Sequence, residues 1–313
     1  MNFLLNITKI IIFLSPISFI ISPLFVNLIV VTLSVITLVL VFFKKSFNLF
    51  LKKECVFFIL FCLFGFIFHF YENIESAIRS LLYLRFLFIY ILIIYLIDFK
   101  KNELKYFFYF LFLVLILINF DLFYQYIFRE NIIGFPVQKD NRMSSFFGKE
   151  LIAGSYLLIF SLFLFYSLIK ESTKKLYLIF NIIALTLFLG ILLSFERMAI
   201  IKFIIVYLYF NMLILYEIKK YSLKKIFIYQ TIVFTILIST FFVIIFNNNQ
   251  YKERFDKTFN DPINLENIYI NLIVTGVDVF ISQPVKGVGF KNYYETCIEH
   301  KKYNLSYLAN YWE

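Results

Sequence analysis

Apolar runs, each of the order of length a helix needs to cross a hydrocarbon core, alternate along this chain with short polar connections. A spanning helix takes about 20 residues. Runs of that kind lie at Lys9–Ile21, Leu24–Phe43, Cys55–Phe70, Leu81–Ile97, Tyr106–Phe128, Leu151–Ile169, Leu176–Ser194, Ala199–Tyr216 and Ile226–Phe246. They predict about nine transmembrane helices. The first run is short, contains Pro16 and ends before Pro23, so tilting, kinking and partial insertion stay open for it. No small-residue cleavage pattern follows it, which reads as a retained span rather than a removed signal peptide. Asn247–Glu313 is the only long polar segment, and it comes after the ladder of apolar runs. Inside it, Leu265–Ile281 sets Ile268, Ile270, Leu272, Ile273, Val277, Val279 and Phe280 around Asn271 and Asp278, the pattern of an amphipathic helix lying at the interface. Gln283-Pro284 ends it. The predicted fold class is all-α, a polytopic helical membrane protein: a bundle over residues 1–246 and an external segment over 247–313.

Composition agrees with this pattern. Hydrophobic residues make up 62% of 313, and the mean hydropathy is +0.85, beyond what a soluble domain carries. The formal charge of +10 would point to nucleic acid in a soluble protein. Here the cations sit in the connections, so they are topology signals and nucleic acid is not a partner. Lys44, Lys45, Lys52 and Lys53 share one connection, and Lys100, Lys101 and Lys105 another. Lys170, Lys174 and Lys175 form a third group, and Lys219, Lys220, Lys224 and Lys225 a fourth. By the positive-inside rule these connections are cytoplasmic. Glu72–Ser80, Arg129–Glu150, Phe195–Met198 and the segment after residue 246 then face outward, to the periplasm of a Gram-negative cell. Cys55, Cys62 and Cys297 are too scattered for a metal site or a disulfide framework. A phosphate-binding Gly-rich loop, a His-Glu-x-x-His motif and an external Asp cluster are missing from the sequence, which gives no reason to expect ATP hydrolysis, a cofactor or a metal.

The outward face carries the candidate chemistry. Arg197 lies in a tight turn, Ser194-Phe195-Glu196-Arg197-Met198-Ala199, between two spans. An Arg there suits a phosphate or pyrophosphate, because its planar fork donates two parallel hydrogen bonds and keeps its charge. A headgroup contact or an ion pair with Glu196 would explain it equally. Lys202, about a turn further on, deepens the same positive site or snorkels. Arg142 precedes the sixth run in a stretch rich in Ser, Gly and Glu; it reads either as a solvated loop charge or as part of a polar cavity at bilayer level. Arg79 and Arg85 flank the outer end of the fourth run, where snorkelling competes with a role in the site. Arg254 begins the external segment as an interfacial cation. His300 is a candidate general acid or base, with an ordinary surface His as the alternative. His69 ends the third run. Asp121, inside the fifth, either caps a distorted turn or faces a water-filled cavity. Gly287-Val288-Gly289 after Pro284 reads as a turn.

Three segments in this order resemble the O-antigen ligase and polymerase family of bacterial membrane glycosyltransferases. They are the Arg-x-x-x-Phe-Phe-Gly entrance at Arg142–Leu157, the Arg-bearing turn Ser194–Ala199, and Gln283-Pro284-Val285-Lys286-Gly287-Val288-Gly289-Phe290, joined by Arg254-Phe255. The resemblance covers roughly Asn141–Phe290. It implies transfer of a glycan from an undecaprenyl pyrophosphate carrier to a sugar hydroxyl, such as that of the lipid A core, on the periplasmic face of the inner membrane and without a metal. Arg142, Arg197 and Arg254 would hold the pyrophosphate, with Lys202 and Arg85 as helpers. The family's His-Pro-His-Asn-like base motif does not occur in this chain, and the family's further spans would follow Glu313. The resemblance therefore implies truncation and an inactive fragment, with His300 as the only base within the chain. A ligase and a polymerase remain equally compatible, with the external-loop pattern favouring the ligase. A polysaccharide flippase is the reading from another class, expected to place charges deep in several spans.

Overall fold

A computed structural model describes residues 2–70, 74–97, 99–138, 142–169, 174–217, 268–285 and 287–288, with isolated positions at 232, 235, 236, 239 and 296. Among the described residues every regular element is helical, and β structure is limited to two isolated bridges, Glu130 with Pro136 and Gln138 with Arg142. The helices are α1 (Asn2–Ile21), α2 (Pro23–Phe43), α3 (Lys53–His69), α4 (Ile74–Leu82), α5 (Leu84–Ile91), α6 (Lys101–Phe128), α7 (Ala153–Ile169), α8 (Lys174–Ser194), α9 (Arg197–Glu217) and α10 (Ile268–Ser282). Among the described residues five segments are long and apolar enough to cross a membrane: Phe3–Ile21, Pro23–Phe43, Ile74–Leu96, Asn102–Phe128 and Arg197–Ile214. Ala153–Leu168 and Ile179–Ser194 are shorter apolar helices. The chain is thus a helical membrane protein. The ninth run, Ile226–Phe246, falls almost wholly outside the described residues, as do Lys286, Gly289, Phe290 and Cys297.

The chain forms two compact units. The first takes in Met1–Lys9, Asn27–Asp98 and Glu253–Glu313, and the second Ile10–Val26 and Phe99–Lys252. In the first, α3 packs along α4. The buried residues of α3 are Cys55, Cys62 and His69, seven apart and so on one stripe, while Phe57, Leu60 and Ile67 face out. The facing side of α4 is equally small: Ser76, Ala77 and Ser80 are buried, and Ile74, Ile78 and Leu82 are exposed. Small residues inside and large apolar ones outside is the arrangement lipid favours, since backbones approach closely and the apolar surface meets acyl chains. It also shifts a boundary. The helix begins at Ile74, where an outward connection was expected up to Ser80, because Glu75 and Arg79 pair one turn apart instead of marking a loop. After a break at Tyr83, α5 runs into a π-helical turn at Leu92–Leu96.

In the second unit α7 packs against α8, α9 and α6, and α8 also against α6. Its core is aromatic, with the Phe165 ring centroid 4.8 Å from Phe180, 5.6 Å from Phe210 and 6.0 Å from Phe203. Polar bonds cross between helices where lipid supplies no hydrophobic push. Asn119 Nδ2 donates to the Thr186 carbonyl at 2.9 Å, and Tyr207 Oη donates to Asn181 Oδ1 at 2.8 Å. The helix α1 runs unbroken through Pro16. Proline removes the N–H that would serve the Ile12 carbonyl, and Ser15 Oγ replaces it at 2.7 Å. The Pro16 carbonyl accepts from Tyr156 Oη of α7 at 2.8 Å, and Phe19 rests edge-on against Phe160 at 5.7 Å. Removing that hydroxyl by Tyr156→Phe is expected to lower unfolding stability by about 1 kcal/mol. A denaturant titration in micelles that superimposes on wild type would show the bond contributes nothing.

Candidate functional site

The α6 helix ends at Phe128, and Arg129 takes the left-handed conformation (φ 64°) that turns the chain. The connection that follows does not stay above the bundle. Asp121, fully buried seven residues before the helix end, accepts the Ile132 N–H at Oδ1 (2.9 Å) and the Ser145 hydroxyl at Oδ2 (2.6 Å). Gln125, one turn later, accepts the N–H groups of Ser144 and Ser145 at 3.0 and 2.9 Å and donates to the Phe135 carbonyl at 3.3 Å. Asn131 accepts from the Phe135 N–H at 2.7 Å and donates to the Ser145 carbonyl at 2.8 Å. Ser145 Oγ also lies 3.5 Å from the Ile118 carbonyl. Ile118 is ten residues before the end of α6, so the helix rises about 15 Å past that level. A 3₁₀ turn, Ser145–Phe147, is thereby held in a recess, with Met143, Ser144, Ser145 and Phe147 buried. Irregular backbone is tolerated at membrane depth where protein groups satisfy it, and here α6 supplies the acceptors. Asp121 thus anchors a loop.

The recess borders the start of α7, reached by Arg142 from one side and by the turn that precedes Arg197 from the other. Arg142 is half-buried; its Nη2 donates to the Leu151 carbonyl, two residues before α7, at 3.3 Å. Its Nε is buried and has no hydrogen-bond partner among the described residues. From the other side, the turn Ser194-Phe195-Glu196 bends through Phe195 at φ 62° and presents Glu196 to the same helix end. The Glu196 carboxylate accepts the N–H of Gly154 at 2.7 Å, the N–H of Ser155 at 3.0 Å and the Ser155 hydroxyl at 2.5 Å. The first N–H groups of a helix lack intrahelical partners and carry positive potential, so a carboxylate there is doubly favoured. The residues before α7, Leu151 and Ile152, have no acceptor side chain, which leaves the capping to a residue more than forty positions away. Half-buried Arg197 follows directly as the first residue of α9. Glu196, one of the partners weighed for Arg197, caps the start of α7.

The other candidates go elsewhere. Lys202 lies on the exposed side of α9 with Ile201, Ile205 and Tyr209, while Phe203, Tyr207 and Phe210 point inward. Arg85 belongs to the first unit and is the second residue of α5, which follows the break at Tyr83. Ser34, in the middle of α2, donates to the Arg85 carbonyl at 3.0 Å. The Arg85 guanidinium lies 5.1 Å from the Phe86 ring, and its Nε is buried without a hydrogen-bond partner among the described residues. Arg254 and His300 lie outside the described residues. Gln125 and Asn131 went unnoticed in the sequence, and so did the capping role of Glu196, although a span entrance without its own cap signalled that an acceptor had to come from afar. Among the described residues no group of His, Cys, Asp and Glu is placed to hold a metal. What the recess offers chemically is the buried Nε of Arg142, a charged donor without a partner among the described residues, near the Asp121 and Glu196 carboxylates that hold its walls.

No protein-family model, curated protein or solved structure matches this chain.

Proposed function

We propose that the chain is a membrane glycosyltransferase of the O-antigen ligase type, acting on a polyprenyl pyrophosphate-linked glycan at the outer face of a bacterial inner membrane. The observation that supports this reading is that Arg142 reaches the recessed entrance of α7, where the turn leading directly into Arg197 is also anchored through Glu196. In this reading the bundle has nine spans, and residues 247–313 are periplasmic. An acceptor hydroxyl, that of a lipid A core sugar, attacks the anomeric carbon and the bond to the carrier's pyrophosphate breaks. The arginines hold the departing phosphates as negative charge grows, fixed donors being worth most where water is excluded. The proton goes to a base, His300 within this chain. A polymerase, adding the same donor to a growing repeat, uses the same elements.

A transporter is the second reading, and Arg85 favours it. Its Nε, on an apolar helix, is buried without a partner among the described residues, and charged groups held inside such helices mark substrate paths. Substituting Arg197 by Ala or Lys in cells separates the readings. Catalysis predicts that glycan transfer to lipid A core falls about 100-fold or more while carrier-linked glycan still reaches the outer face. Glycan trapped on the cytoplasmic face would instead make the chain a transporter. Full transfer by both variants would remove Arg197 from the mechanism.

A further inference from the structure

The connection between α2 and α3 holds a second cluster, in the first unit, that glycan transfer does not use. Four lysines, Lys44, Lys45, Lys52 and Lys53, bracket a 3₁₀ turn at Phe47–Leu51, and Glu54 is the single carboxylate between residues 42 and 56. Two of these lysines converge on adjacent residues of another element. Lys44 Nζ donates to the Leu96 carbonyl at 3.4 Å, and Lys52 Nζ lies 6.0 Å from the centre of the Tyr95 ring. Leu96 closes the π-helical turn, so its carbonyl is a natural acceptor for a cation. Ser46 belongs to the same connection. Lys45 at φ 51° turns the chain there, and Ser46 Oγ is buried with no hydrogen-bond partner among the described residues, although Ser46 stands where a cap would. Around the turn Phe42, Phe43, Phe47 and Leu51 are 69%, 72%, 55% and 77% exposed. In water such a surface would be unfavourable. At the ends of spanning helices it lies beside acyl chains, with the lysines at headgroup level.

We propose that Lys44, Ser46 and Lys52 form a binding site for the phosphate of an anionic phospholipid on the cytoplasmic face. Lys44, steadied by the Leu96 carbonyl, keeps two N–H groups for phosphate oxygens, and Lys52 supplies a second charge. The Ser46 hydroxyl supplies a donor. Phe47 and Leu51 pack against the lipid's chains. A zwitterionic lipid carries its own cation and gains less from the two ammonium groups, so the site selects net negative headgroups.

The test uses the full chain in nanodiscs of phosphatidylcholine with increasing phosphatidylglycerol, bound lipid being counted by native mass spectrometry. Wild type is expected to retain phosphatidylglycerol in preference to phosphatidylcholine. The pair Lys44→Gln and Lys52→Gln is expected to weaken that retention about 20-fold, and Ser46→Ala by less. The charge-matched pair Lys45→Gln and Lys53→Gln is expected to change it little. Equal weakening by both pairs would mean a diffuse surface field and overturn the site, as would equal retention of the two lipids. Should the Gln pair fail to fold, Lys44→Ala and Lys52→Ala tested singly against Lys45→Ala give the same comparison.

Discussion

Replacing Gly190 by Ala is expected to be among the most damaging single changes in the second unit. A Cβ at that position would sit 1.8 Å from Asn119 Oδ1, 2.9 Å from Asn119 Cγ and 3.0 Å from Leu157 Cδ1. Asn119 cannot simply swing aside. It is 97% buried, and its Nδ2 holds the Thr186 carbonyl across the α6–α8 contact. Moving it forfeits that bond or forces the helices apart. Overpacking of this kind costs about 1–3 kcal/mol, and an interhelical hydrogen bond in lipid adds about 0.6. The expected loss is therefore about 2–4 kcal/mol, read from the midpoint of an unfolding titration in mixed micelles. Adding Asn119→Ala makes room for the methyl and should return part of the loss, because the two positions touch. Wild-type stability for Gly190→Ala would contradict the close approach of α6 and α8.

Glu196→Ala is expected to injure stability and function together. It removes the acceptor for two N–H groups and one hydroxyl at the start of α7, leaving Gly154 and Ser155 without partners at a partly buried end. Hydrogen bonds to a charged group contribute about 1.5–3 kcal/mol, so an expected loss of about 3 kcal/mol is in range. Gly154 leaves no slack for repair: a Cβ there would meet Ser194 Oγ at 2.3 Å and Glu196 at 3.2 Å. Because Glu196 directly precedes Arg197, releasing the cap also loosens the turn that carries the arginine. Glu196→Gln keeps one oxygen acceptor and should retain part of both properties. If the Ala variant unfolds like wild type, the cap is not what secures the turn. If it is destabilised yet transfers glycan at the full rate, the cap is structural and Arg197 needs no such positioning.

Much of the candidate site was half legible. Arg142 and Arg197 could be singled out because each stands beside an apolar run, a relation contained in a few neighbouring residues. The meeting of their two segments at one helix end could not, since it depends on α7 lying between them. The same holds for Asp121. Its place inside an apolar run left a distorted turn and a water-filled cavity both open, and its partners, Ile132 and Ser145, are reached only because the connection folds back down α6. The helix before Arg85 shows a different limit: it starts at Ile74, ahead of the apolar run at Leu81, because Glu75 and Arg79 lower the local hydropathy without breaking the helix.

The sequence by itself determined that this is a helical membrane protein. The hydropathy of a segment is a sum over its own residues, and lipid leaves such a segment no way to satisfy its backbone except as a helix. Where the cations fall along the chain is equally local. Only the tertiary structure decided which polar groups meet: Glu196 with Gly154 and Ser155, Asn119 with Thr186, Lys44 with Leu96. A hydrogen bond or charge contact acts over a few ångströms in space and is indifferent to the number of residues between its partners, so the fold must form before those partners exist.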